Sequence, residues 1–245
     1  MEIRSERVSI PLTGGGMMGG YSARPADATP RPAVIVWMEI FGVNSHIRDV
    51  TERVAREGYV ALAPDFFHRS LPGLDVGYDE KGMQQGMKGL MALDADQMIQ
   101  DAKDAIAFVR KRPNTTRKVG AMGFCIGGHM TYLTACETDV SAAASFYGGG
   151  IAAPKGPGGK ASTLGRTPGI KGKLLCLFGA KDTMIPRPQV DAVRAALSGA
   201  KTRHEVVEYD ADHGFFCDQR ATYHKPSADD AWRRVKALFA EELRG

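Results

Sequence analysis

The residues best placed to do chemistry lie in Gly120-Ala-Met-Gly123-Phe124-Cys125-Ile126-Gly127-Gly128-His129. Within it, a cysteine has glycines two positions before and two after. Lys118–Met122 before it reads as a strand, and the residues after Gly127 read as a helix. A nucleophile carried on a sharp strand-to-helix turn needs this spacing, because the chain must pass close to itself there. The turn lifts the sulfur clear of the sheet and aims the Ile126 N–H at a carbonyl under attack. The N-terminus of the following helix stabilises negative charge on sulfur. A buried core cysteine between packing glycines would show the same five residues.

A nucleophile needs a base, and the base needs an orienter. Asp182 lies in Gly179–Pro186, just after the strand-like Leu174–Phe178. His213 lies in Asp210–Phe216, just after the strand-like His204–Tyr209. Nucleophile, acid and histidine would then stand in chain order, each beyond the C-terminal end of a strand. Asp182 could instead merely cap the helix beginning near Pro188. Asp210 and Asp212 compete as orienters but sit too close to His213 in sequence to face its ring comfortably. His129 falls on the helix after Cys125 and reads as structural. His46, His68, His204 and His224 hold no comparable loop position.

The elements that must position these groups alternate. Val34–Met38 reads as a buried strand, and Tyr59–Ala63, Lys118–Met122, Ser141–Tyr147, Leu174–Phe178 and His204–Tyr209 read as strands. Ser45–Glu57, capped by Ser45, Asp94–Lys111, Pro188–Leu197 and Ser227–Leu243 show helical spacing. That order predicts an α/β fold with a mostly parallel sheet and helices on both faces, in one domain over residues 1–245. Ile3–Tyr21, with Gly14-Gly15-Gly16, reads as an antiparallel hairpin on the sheet edge. Gly148–Lys173 is rich in glycine and proline and shows no period. It reads as a long surface excursion that either overhangs the site as a lid or lies passively beside it.

Composition narrows the function classes. The 245 residues are 43% hydrophobic and 24% charged, with a net charge of +4 scattered rather than blocked. Disorder is excluded, and a nucleic-acid partner is not expected. The longest apolar runs fall far short of the ~20 residues a membrane span needs, so no membrane partner is expected. Met1–Leu12 carries two glutamates and no apolar core, unlike a secretory leader. Cys125, Cys136, Cys176 and Cys217 show no zinc-ligand spacing. Reduced thiols in a cytoplasmic enzyme without a metal fit this best.

Gly123-Phe-Cys125-Ile-Gly-Gly, with Glu39-Ile40-Phe41-Gly42-Val43-Asn44, Pro64-Asp65 and the Asp182 and His213 loops, resembles the dienelactone hydrolase (carboxymethylenebutenolidase) family. The likeness runs from about Val8 to Leu238. It implies an α/β-hydrolase fold, a monomer, no cofactor, and cleavage of a small ester or lactone through a thioester. It assigns Cys125 as nucleophile, His213 as base and then acid, and Asp182 as orienter. Glu39 would be an extra carboxylate beside the thiol that restrains it and then accepts its proton. The Ile40 N–H would join that of Ile126 in the oxyanion hole, and Tyr147 would match a pocket tyrosine. Phe41 and Phe215, with Trp37, Phe66 and Phe124, are further candidates to line the cleft.

Substrate recognition is where the chain departs from that family. Met83 and Cys217 stand where family members grip a carboxylate with two arginines, and Arg220 lies three residues further on. The loss of a bidentate grip predicts altered carboxylate recognition, weak action on dienelactone itself and a preference for less polar esters. The competing expectation is a non-catalytic α/β-hydrolase-like protein that binds a small molecule or senses oxidants through Cys125.

Overall fold

The computed structural model describes residues 1–245. Eight strands, β1 (Ile3–Pro11), β2 (Met17–Pro25), β3 (Arg31–Trp37), β4 (Val60–Pro64), β5 (Thr115–Phe124), β6 (Ala142–Phe146), β7 (Lys173–Gly179) and β8 (His204–Tyr209), join one sheet in the order β1-β2-β4-β3-β5-β6-β7-β8. β1 and β2 pair antiparallel, as does β2 with β4; all other pairs are parallel. The edge hairpin turns through Gly14, Gly15 and Gly16, with φ of 95°, 101° and 88°. Only glycine enters that region without strain.

Six helices complete the fold: α1 (Ser45–Arg56), α2 (Glu80–Met91), α3 (Ala95–Arg110), α4 (Ile126–Glu137), α5 (Arg187–Gly199) and α6 (Lys225–Arg244). None is long and apolar enough to cross a membrane. α3 packs against α4, while α6 covers β5, β6 and β7 and reaches α1 through Lys236–Glu57 at 3.5 Å. β4 and β6 are buried at every position, as the apolar runs required. Phe124 and Phe146 meet with ring centroids 4.8 Å apart, and Phe124 stacks on Phe216 at 5.3 Å. Each such ring contributes roughly 1.5–3 kcal/mol by leaving water, which fixes the C-terminal ends of β5 and β6.

One expectation needs correction, and two features are added to it. The cap of α1 is Asn44, whose side chain accepts from the Ile47 N–H, and Ser45 is the first helical residue. No apolar period marks the helix Glu80–Met91. Its glycines look like breakers but form its buried face: a Cβ at Gly86 would lie 2.5 Å from the Ile40 carbonyl oxygen, and one at Gly89 2.7 Å from the Phe67 ring. Close approach replaces side-chain packing there. The Gly148–Lys173 excursion carries short 3-10 turns at Pro157–Gly159 and Thr163–Gly169.

Candidate active site

Cys125 sits between β5 and α4 with φ 57° and ψ −120°. A non-glycine residue in that region stores about 1–3 kcal/mol of strain. The surrounding glycines make the turn possible. A Cβ at Gly123 would lie 2.3 Å from the Gly127 carbonyl oxygen, one at Gly127 2.3 Å from that of Met38, and one at Gly128 2.4 Å from that of Phe146. The Cys125 N–H continues the ladder to Phe146 O at 3.1 Å. Ile126 opens α4, so its N–H has no acceptor within the helix.

The loop after β7 carries Asp182, and the loop after β8 carries His213. His213 Nδ1 lies 2.7 Å from Asp182 Oδ2. Asp182 Oδ1 accepts from the N–H groups of Met184 at 2.9 Å and Ile185 at 3.2 Å. The carboxylate therefore orients the imidazole and shapes its own loop at once. Asp210 is turned to Lys181 at 3.0 Å. Since a carboxylate accepts, His213 Nδ1 donates to Asp182, while Nε2 is buried without a hydrogen-bond partner. Burial opposes charge on the ring, but Asp182 and the Cys125 sulfur outweigh it and raise the imidazole to about 10. Tyr147, also with positive φ (36°), lays its fully buried ring on His213 at 5.0 Å.

Cys125 and His213 share a cleft of about 350 Å³. Its walls are Leu90, Ile126, Met184 and, from the long excursion, Gly149, Gly150, Ala153, Lys155, Gly156 and Pro157, with His129 at the base. Apolar groups dominate, as in a site that takes a small organic ligand. His129 bonds to that excursion and not to the thiol.

Glu39 closes a second network after β3. It is 1% exposed, and both oxygens are engaged: Oε1 accepts from Arg220 Nη1 at 3.1 Å and Oε2 from the Tyr78 hydroxyl at 3.1 Å. No hydrogen bond joins it to Cys125. Arg220 lies over Phe41 and Tyr78, 5.9 and 5.7 Å from their centroids. Burial and then the Glu39 charge push the Tyr78 hydroxyl far up, so it stays a donor. The Ile40 N–H takes no part in the hydrogen bonds of its turn. Glu39, His46 and Cys217 bring ligand atoms within 4.8 Å of one another. Burial and the same carboxylate hold the Cys217 thiol up at about 12, so its sulfur rests protonated beside Glu39.

The other expected cleft residues lie elsewhere. Met83 is on α2, 39% exposed and outside the cleft. Phe215 is fully buried against Tyr147 and Tyr209 and does not line the cleft. Trp37, Phe66 and Phe124 are likewise core, and Phe41 packs on Tyr78 at 4.5 Å. Tyr78 and the fixed role of Arg220 were missed, because only the fold brings residues 78 and 220 to residue 39.

Comparison with known proteins gives a consistent picture. The model of the dienelactone hydrolase family matches residues 18–243. A Synechocystis sp. protein described as "Putative carboxymethylenebutenolidase" is 43% identical, with 100% of this chain and 99% of that one covered. The "Carboxymethylenebutenolidase" of Pseudomonas putida is 30% identical, covering 86% of each chain. The solved structure of a "Putative Dienelactone Hydrolase" from Klebsiella pneumoniae superposes with a TM-score of 0.89 at 33% identity, over 98% of this chain and 100% of that one.

Proposed function

The chain belongs to the dienelactone hydrolase family, and from that premise we propose that it hydrolyses a small ester or lactone through an acyl-thioester on Cys125. The observation that carries this reading is the unpartnered Nε2 of His213, buried in the same cleft as Cys125 while Nδ1 is held by Asp182 at 2.7 Å. The raised imidazole takes the thiol proton onto that nitrogen, and the thiolate left behind attacks the carbonyl carbon. The Ile126 and Ile40 N–H groups take the developing oxyanion, each such donor contributing about 3 kcal/mol. The tetrahedral adduct collapses, and His213 returns the proton to the leaving oxygen. Part of what holds the imidazole proton high is the sulfur itself. Once Cys125 is acylated that contribution is gone, the imidazole gives up its extra proton more readily, and neutral His213 stands ready to take one from water. Deacylation then releases the acid and restores the thiol.

Glu39 enters this scheme as a second acceptor only after leaving Arg220 and Tyr78. With Arg220 committed to Glu39 and Met83 outside the cleft, the bidentate grip on a substrate carboxylate is replaced by apolar walls. Carboxylate recognition is therefore altered, and neutral esters are favoured over dienelactone. The test is turnover of p-nitrophenyl acetate and of cis-dienelactone by wild type and Cys125→Ala, with mass spectrometry of the quenched enzyme. Expected are multiple turnovers, an acyl adduct on the Cys125 peptide, and a higher kcat/KM for the neutral ester. Full activity in Cys125→Ala would end the thioester scheme. A single stoichiometric burst without turnover would favour a thiol sensor instead.

A further inference from the structure

The excursion between β6 and β7 is docked on α4 by a row of side chains. His129, Tyr132 and Glu137 project from that helix, and Tyr132 OH meets Thr167 Oγ1 at 2.6 Å while Glu137 takes Arg166 at 2.6 Å. His129 is the member of the row nearest the chemistry. It follows Cys125 by one helical turn, its N–H donating to the Cys125 carbonyl at 3.2 Å. Its ring spans two distant points of the excursion: Nδ1 lies 2.9 Å from Gly149 O, and Nε2 lies 2.7 Å from Thr163 Oγ1.

These partners fix the tautomer. A carbonyl oxygen only accepts, so Nδ1 carries the hydrogen, and Nε2 receives the Thr163 hydroxyl proton. The ring is 2% exposed, and burial drives its pKa down to about 4, so it stays neutral. Between the two anchored points runs the stretch that supplies Gly150, Ala153, Lys155, Gly156 and Pro157 to the cleft. The stretch is braced internally, with Ser162 Oγ donating to Ala153 O at 3.0 Å and the Gly156 N–H to Lys160 O at 3.0 Å. One imidazole thus sets the separation between the helix that bears the nucleophile and the wall that faces it.

We propose that His129 is a positioning residue which, through Gly149 and Thr163, holds residues 150–162 as a fixed wall and thereby restricts the cleft to short acyl groups. The inference rests on the ester hydrolysis proposed above and adds its specificity. A wall held at both ends excludes chains longer than the space in front of it, and a released wall admits them.

The experiment is a p-nitrophenyl ester series (acetate, butyrate, octanoate) on wild type, His129→Leu, Thr163→Val and Thr163→Ser, with the rate of Cys125 alkylation by iodoacetamide measured in parallel. In His129→Leu and Thr163→Val the ratio of kcat/KM for octanoate to that for acetate rises by roughly tenfold, a step of the size a methylene-scale change in a pocket produces. In Thr163→Val the change lies in KM for octanoate, while acetate kcat and alkylation stay within about twofold of wild type. Thr163→Ser, which keeps the hydroxyl, restores the wild-type ratio. A ratio unchanged in both His129→Leu and Thr163→Val overturns the proposal. So does a loss in Thr163→Val shared equally by all three esters. If His129→Leu does not fold, the Thr163 pair decides alone. Turnover that survives in Cys125→Ala would instead remove the underlying reading, and is scored separately.

Discussion

Two carboxylate networks meet at the C-terminal edge of the sheet, and they differ in one respect. The Asp182–His213 arm is open, because its last nitrogen faces a cleft with no partner. The Glu39 arm is closed, because Arg220 and Tyr78 take both oxygens of a carboxylate that water does not reach. Each arm also has its cysteine. Cys125 stands half-buried on a strained turn at a helix N-terminus, and Cys217 is sealed beside Glu39 with its thiol pushed up to about 12. The contrast is between one nitrogen left without a hydrogen-bond partner beside the cleft and an equally charged neighbourhood in which both carboxylate oxygens are filled.

The largest test of that contrast is to remove each sulfur in turn. Cys125→Ala is expected to lower kcat/KM for ester hydrolysis by about four orders of magnitude, as loss of a nucleophile does. Cys217→Ser should stay within about threefold. Comparable losses in both would erase the distinction between open and closed arms. The next effect in size is chemical. At neutral pH iodoacetamide should alkylate Cys125 at least about a hundredfold faster than Cys217, because only thiolate reacts and Cys217 is held protonated. Peptide mapping after timed quenching reads the two rates, and faster labelling of Cys217 would contradict the sealed arm.

Stability gives the third test. Arg220→Met strands Glu39 in a dry environment with Tyr78 as its remaining partner. Breaking a buried pair from one side costs about 3–5 kcal/mol, which at this chain length lowers Tm by roughly 6–20 °C. The double variant Glu39→Gln/Arg220→Met should recover most of that loss, since the uncompensated charge is gone. Thermal unfolding of the single and double variants checks this. A double variant as unstable as Arg220→Met alone would mean that guanidinium packing over Phe41 and Tyr78, not charge pairing, does the holding.

The open arm was legible in the sequence and the closed arm was not, for a physical reason. Asp182 follows the apolar run of β7 and His213 follows the half-buried β8, and parallel strands deliver their C-terminal loops to one edge. Cys125 is flagged by glycines whose spacing has a steric cause. Glu39 follows β3 by the same rule, but its partners do not. Tyr78 precedes a helix whose buried face is glycine, so no apolar period marked it. Arg220 comes from a turn after His213, and its reach depends on Gly214, where a Cβ would lie 2.5 Å from the guanidinium. Such long-range pairings leave no periodic trace. Tyr147 and Phe215 were aromatic residues near the motif, and their place in the core is decided by packing that no short pattern encodes.

The smallest expected effect separates the arms by sign. His213, in the open arm, has its folded value raised to about 10 against an ordinary value near 6.5. Its contribution to stability is therefore complete below pH ~6.5 and is lost as pH rises through ~10. His46 lies by the closed arm, with both ring nitrogens unpartnered, and burial lowers its value despite Glu39 and Asp218 nearby. Its neutral form folds without penalty above pH ~6.5, and the protein loses stability as pH falls below that value. Replacing His213 by Gln should then lower Tm most in mildly acidic buffer and progressively less toward pH 10. Replacing His46 by Gln should do the reverse on the acid side, relieving a loss that grows as pH drops. Differences of a few °C are expected at this chain length, so the informative readout is the slope of each Tm difference with pH. Parallel slopes would show that the two histidines share one electrostatic environment, and the division between an open and a closed arm would then have no basis in their titration.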